Sequence, residues 1–238
     1  MGYIVGFEKL SLLDYDDKLS AVIFFWGCNF RCPYCHNADI VAKSHKDKAI
    51  IPTEDILAYL EKRKGVLDAV VITGGEPTLY INEELISLMK KIKELGYLIK
   101  LDTNGSFPNR LKKLLDLGII DFVAMDIKNS LRSYSKTIGG ILDGEEFLNN
   151  IKTSIEMIMS SGVDYEFRTT IVKGFHTKED MKEIAELIKG AKKYRLQKFV
   201  DQGTCMVDNL EAIPLEEAEE FVKILKPYIP NAGLRGYN

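Results

Sequence analysis

The chain has 238 residues, of which 46% are hydrophobic, 10% aromatic and 28% charged, enough apolar mass for one sizeable core and too much for a disordered segment. Its 32 basic residues nearly balance 35 acidic ones, a formal charge of -3, and no like-charge run reaches five residues, which argues against nucleic acid or an anionic membrane as the main partner. No apolar run approaches the roughly 18 residues of a membrane span, and the opening Met1-Gly2-Tyr3-Ile4 carries no basic lead, so a cytoplasmic protein is expected.

An amphipathic opening, expected to be hairpin-like, occupies residues 1–19. Residues 20–26 form a continuous apolar, β-rich run that suits a strand buried on both faces. The basic stretch 43–48, with His45, reads as a solvated loop. Thr53-Glu54-Asp55 looks like a helix start, with Ile56, Leu57 and Leu60 as its apolar stripe. A second buried strand, 69–72, runs into Thr73-Gly74-Gly75-Glu76-Pro77, and helical spacing follows at Leu85, Ile86, Leu88, Met89, Ile92 and Leu95. The alternation continues with strands at 97–101, 122–126, 164–172 and 196–200, and helices at 110–117, 145–159, 178–191 and 215–225.

Six βα units in succession predict an α/β fold with parallel strands and right-handed crossovers, either a partial barrel or an open doubly wound sheet. The expected organisation is one domain over 1–238, with the six units spanning 20–229. In both architectures ligands gather at the carboxyl ends of the strands.

Three of the four cysteines, Cys28, Cys32 and Cys35, fall in the loop after the first buried strand with Cys-x3-Cys-x2-Cys spacing, while Cys205 stands far away. Scattered disulfides are therefore not expected. Three thiolates on one loop can grip three irons of a cubane cluster and leave the fourth iron open to a substrate. Cys32-Pro33-Tyr34-Cys35 alone also fits a glutaredoxin-type dithiol, and a zinc site using His36 or Cys205 as fourth ligand is another alternative. The dithiol leaves Cys28 and five βα units without a role, and adjacent Cys35 and His36 would strain to meet one tetrahedral ion.

The cysteine loop with an aromatic residue before its third cysteine, followed by Gly74-Gly75-Glu76-Pro77, resembles the radical S-adenosylmethionine (SAM) superfamily. Residues 27–37, Asp102-Thr103-Asn104-Gly105, Met125-Asp126-Ile127-Lys128 and Glu166-Phe167-Arg168-Thr169-Thr170 resemble the anaerobic ribonucleoside-triphosphate reductase activating proteins, which are similar to pyruvate formate-lyase activating enzymes. One departure is Asp16-Asp17, where those proteins usually show Pro-Gly.

The resemblance implies a partial (β/α)6 barrel, a 4Fe-4S cluster on Cys28, Cys32 and Cys35, and reductive cleavage of SAM to a 5'-deoxyadenosyl radical that takes a glycyl hydrogen from a partner enzyme. It implies SAM contacts from Tyr34, Cys35, His36, Gly74, Gly75, Glu76, Asp102, Asp126, Ile127, Lys128 and His176, and a monovalent cation at Asp102, Thr103 and Asp126. The implied partners are anaerobic ribonucleotide reductase and a low-potential donor such as flavodoxin or ferredoxin. A small-molecule radical SAM enzyme, such as a deazapurine ring modifier, is the competing reading. Arg168 suits either the cofactor carboxylate or a structural ion pair, and Cys205 is expected to be a free thiol.

Overall fold

Residues that are β-branched or aromatic and apolar on both faces form the central strands, as a parallel sheet covered by helices requires. In the computed structural model, which describes residues 2–42 and 49–237, these strands are β2 (Ser20–Phe25), β3 (Ala69–Gly74), β4 (Leu98–Thr103), β5 (Phe122–Asp126), β6 (Asp164–Ile171) and β7 (Tyr194–Lys198). The expected loop around His45, 43–48, lies outside the described residues. Two further strands flank the six: β1 (Ile4–Ser11), antiparallel to β2 with Phe7 opposite Ile23, and β8 (Ala232–Arg235), parallel to β7 with Leu234 beside Leu196. The hydrogen-bonded order runs β1 to β8 along the chain. Among the described residues no helix is long and apolar enough to cross a membrane.

The chain forms two compact units, with the boundary inside β5. The first holds residues 1–29, 39–103 and 107–123. Its helices are most of α1 (Ala38–Ala42), then α2 (Thr53–Glu61), α3 (Glu83–Glu94) and α4 (Pro108–Asp116). Helix α3 starts where Asn82 Oδ1 accepts from Leu85 N, and buries Leu85, Ile86, Leu88, Met89 and Ile92, the stripe its spacing predicts. Pairing of Val22 with Val71, and of Val71 with Lys100, sets the register of β2, β3 and β4. Tyr15, from the turn after β1, packs with Val22, Ala69 and Val71.

The second unit holds residues 30–38, 104–106 and 124–238. It contains α5 (Tyr134–Thr137), α6 (Glu145–Ser160), α7 (Lys178–Leu187) and α8 (Leu215–Leu225). Helix α6 buries Phe147, Ile151, Ile155 and Ile158, again at helical spacing. Helix α7 opens on a reciprocal cap: Thr177 Oγ1 accepts from Asp180 N, and Asp180 Oδ2 accepts from Thr177 N.

Candidate active site

In the first unit the ends of β2 and β3 are stitched together where the cysteine loop begins. Gly75 N donates to Phe25 O at 2.9 Å and Glu76 N to Gly27 O at 2.8 Å, while Gly27 N reaches Ile40 O. A Cβ on Gly75 would lie 1.9 Å from Gly27 O, and one on Gly74, whose φ is +118, 2.3 Å from Phe25 N. The two glycines are thus required by close backbone approach to the strand that leads to Cys28. Their openness was expected to serve a ligand; the structure shows it used first by the protein's own backbone.

Glu76 is fully buried, and its Oε1 accepts from Thr78 N at 3.1 Å, from Thr103 Oγ1 at 2.8 Å and from the Thr78 hydroxyl. It caps the 3₁₀ turn Pro77–Tyr80 and ties that turn to the end of β4. Asp102 accepts from Thr73 Oγ1 at 3.0 Å through Oδ2, and its Oδ1 lies 3.4 Å from Lys100 Nζ.

In the second unit the rest of the cysteine loop is held at both ends. Arg31 N donates to Ile138 O, Cys35 N to Cys32 O at 3.0 Å, and the amides of Met206 and Val207 both reach Pro33 O. All four cysteines are free thiols. Burial pushes the Cys32 thiol up to about 11 and raises Cys35 as well, while the Lys128 ammonium pulls both down. Burial also raises Cys205, to which Asp201 and Cys35 add. Among the described residues no three His, Cys, Asp or Glu side chains converge in metal-binding geometry.

Tyr34 is buried, its ring against Phe175 and His176, with centroids 5.7 and 6.2 Å apart. Its hydroxyl is buried and has no hydrogen-bond partner among the described residues, the kind of orphan that a bound group would satisfy. His36 stacks on Phe199 at 5.5 Å, and burial lowers its pKa.

The end of β5 carries the charges. Asp126 Oδ1 accepts from Arg168 Nε at 2.9 Å and Oδ2 from Lys128 Nζ at 3.0 Å. Burial alone would raise the Asp126 carboxyl, but the two cations outweigh it and hold it at about 2. Burial would likewise discharge Lys128; Asp126, with Cys32 and Tyr34, keeps it protonated far above neutral pH. Of the two roles expected for Arg168, the structure shows the ion pair, with Asp126. Ile127, wholly buried, donates its N–H to Arg168 O at 2.8 Å.

His176 is buried with both ring nitrogens engaged by backbone: Nδ1 faces Val172 N at 3.0 Å and Nε2 lies 2.9 Å from Lys128 O. Burial lowers its pKa, so the neutral ring accepts at Nδ1 and donates from Nε2. It fixes the backbone of Lys128. Sequence reasoning missed Lys100, Thr73, Phe199 and the 206–207 amides. Lys100 had a visible signal, a charge inside an otherwise apolar strand two residues from Asp102.

The radical SAM superfamily model matches residues 22–193, and the chain belongs to that superfamily. It is a radical SAM enzyme with the superfamily's partial (β/α)6 barrel fold, and that family works with a 4Fe-4S cluster and SAM. Among its relatives is a protein of Methanocaldococcus jannaschii provisionally named a glycyl-radical enzyme activating enzyme, 34% identical over 99% of this chain and 96% of its own length. Another is the pyruvate formate-lyase-activating enzyme of Clostridium pasteurianum, 28% identical over 91% of this chain and 88% of that protein. A radical SAM methyltransferase from Sphaerobacter thermophilus shares the fold at 16% identity, with a TM-score of 0.68 over 95% of this chain and 68% of the other.

The residues fit the groups that family uses: free thiols with the ligand spacing for iron and sulfide, a buried unpartnered hydroxyl at Tyr34, and a protonated Lys128 in the same electrostatic neighbourhood as Cys32 and Cys35.

Proposed function

We propose that this chain activates a glycyl radical enzyme, and that the partner is anaerobic ribonucleoside-triphosphate reductase. The observation that carries the reading is near full-length likeness to a protein named for glycyl-radical enzyme activation, 34% identical over 99% of this chain. The reductase is favoured by the motif set at 27–37, 102–105, 125–128 and 166–170. The family match crosses the boundary between the two units, which supports counting them as one radical SAM domain.

Cys28, Cys32 and Cys35 hold the cluster. When bound, the cluster supplies the electron that splits the sulfonium C–S bond of SAM and yields the 5'-deoxyadenosyl radical. The chain's own residues bind and orient. Lys128 offers a fixed positive charge for a carboxylate, held in place by Asp126 through its side chain and by His176 through its carbonyl. Tyr34 and His36 present rings and backbone to the adenosyl part, with Ile127 as an apolar wall. Glu76 accepts from an ammonium group, Asp102, its charge matched by Lys100, lines the site at the end of β4, and Gly74 and Gly75 keep the backbone low beside them.

A flavodoxin or ferredoxin is the electron donor in this reading, and the cytoplasm is the compartment, because free thiols persist in reducing surroundings. The test is anaerobic incubation of the reduced, cluster-loaded protein with SAM and reductase, read by electron paramagnetic resonance. A glycyl doublet on the reductase is expected. SAM cleavage without any doublet, on the reductase or on pyruvate formate-lyase, would overturn the activase reading; a doublet on the lyase alone would overturn the choice of partner.

A further inference from the structure

Lys100 and Asp102 stand two residues apart on β4, so both side chains leave the same face of the strand. The Lys100 ammonium lies 3.4 Å from Asp102 Oδ1, donates to the Asp14 carbonyl, and sits over the rings of Tyr15 and Phe122 at 6.0 and 5.8 Å. Only 4% of Lys100 is exposed. A buried ammonium needs an opposite charge, and Asp102 supplies it. The other carboxylate oxygen of Asp102 takes the Thr73 hydroxyl, and the Thr103 hydroxyl is given to Glu76.

The negative charge that would attract a sodium or potassium ion to Asp102 and Thr103 is therefore already balanced from within the chain. Asp126, considered in its own unit, is faced by two cations, Arg168 and Lys128. Each carboxylate thus faces a positive charge of the chain itself, and an incoming cation would meet an ammonium or guanidinium of its own sign. Charge balance at Asp102 argues against the monovalent cation that the resemblance implies there.

We propose that Lys100 is a built-in counter-ion that replaces that cation at Asp102, so that the protein folds and binds SAM without sodium or potassium. The SAM half of this statement rests on the assignment of Asp102 to the SAM site; the folding half does not.

Two measurements test it at equal ionic strength in sodium, potassium and choline chloride: the thermal midpoint of the cluster-free protein, and anaerobic equilibrium dialysis of SAM against the cluster-loaded protein. The wild type is expected to give the same midpoint in all three salts and SAM dissociation constants within about twofold. Lys100→Met leaves the Asp102 charge uncompensated; its midpoint should fall in choline and recover in sodium or potassium. Lys100→Met combined with Asp102→Asn removes both charges and should lose that salt preference.

A wild-type midpoint that rises on exchange of choline for sodium or potassium, or SAM binding tightened about tenfold by either ion, overturns the proposal. If Lys100→Met does not fold in any salt, the wild-type comparison still decides. Absence of SAM binding in every salt would count against the proposed function, while the midpoints would still judge the counter-ion.

Discussion

At the scale of single residues, charge and burial together decide what each group can do. Lys128 stays protonated in a largely buried place because Asp126 lies 3.0 Å away, and Asp126 in turn is shared with Arg168. Lys128→Met should keep iron per chain unchanged and weaken SAM binding about 10- to 100-fold, or about 1.4–3 kcal/mol. Iron analysis with anaerobic dialysis measures both, and unchanged affinity would remove Lys128 from the site. The thiols separate in the same way: Cys28→Ala, Cys32→Ala and Cys35→Ala should each lose the cluster, whereas Cys205→Ser should retain full iron. Iron lost with Cys205 would make it a fourth ligand. The patterns these predictions rest on, the cysteine spacing and the Asp126-Ile127-Lys128 string, are local and so visible in the sequence. The role of Arg168 was not, since its partner lies 42 residues away, and neither was the bonding of His176, which depends on a loop 48 residues distant.

Among elements, Asp180 binds the start of α7 to the segment before α5. It is buried, and its oxygens accept from Ser130, Ser133 and Thr177 hydroxyls. Burial would raise its carboxyl, but the hydroxyl donors prevail and hold it below the ordinary carboxylate range. A depressed carboxyl stabilises the fold above the unfolded value of about 3.9 and loses that contribution as pH falls through the lower folded value. Asp180→Asn should thus cost about 1–3 kcal/mol at neutral pH, a difference that shrinks in acid below about pH 4, as denaturant unfolding at both pH values would reveal. Asp17, in the turn between β1 and β2, has a φ of 61, in the left-handed region that glycine enters without steric cost. Asp17→Gly should stabilise by roughly 0.5–1 kcal/mol and raise the melting midpoint by about 2 °C. The six strands and their helices were readable because hydrophobic period and stop residues agree in most of them; β7 begins two residues earlier than expected, at Tyr194, and α7 ends at Leu187, short of the expected 191. Strand β8 was not: Ala232-Gly233-Leu234-Arg235 is short, carries a glycine, and gains its partner only from β7. Helices α1 and α5, with five and four residues, are too brief to show a period.

For the whole molecule, cofactor occupancy should couple to stability by mass action. SAM at about 100 times its dissociation constant adds about 2.7 kcal/mol to any form that binds it, worth about 5–10 °C in the midpoint of a chain this size. Anaerobic melting should show that rise for cluster-loaded protein and none for the cluster-free form; an equal rise in both would mean that SAM binds without iron. The superfamily was legible because its signature is chemical, thiols at fixed spacing next to a tight glycine turn. The partner was less so, because recognition of another protein is written in surface shape rather than in a short string. The seam at Gly27 and Gly75 is made of main-chain hydrogen bonds, Gly75 N to Phe25 O and Glu76 N to Gly27 O, on strands already paired from Ser20 with Ala69 to Phe25 with Gly74. A zinc finger, by contrast, takes its shape from the ion; here the backbone that leads into Cys28 is anchored by amides and carbonyls, and no thiol belongs to that anchor.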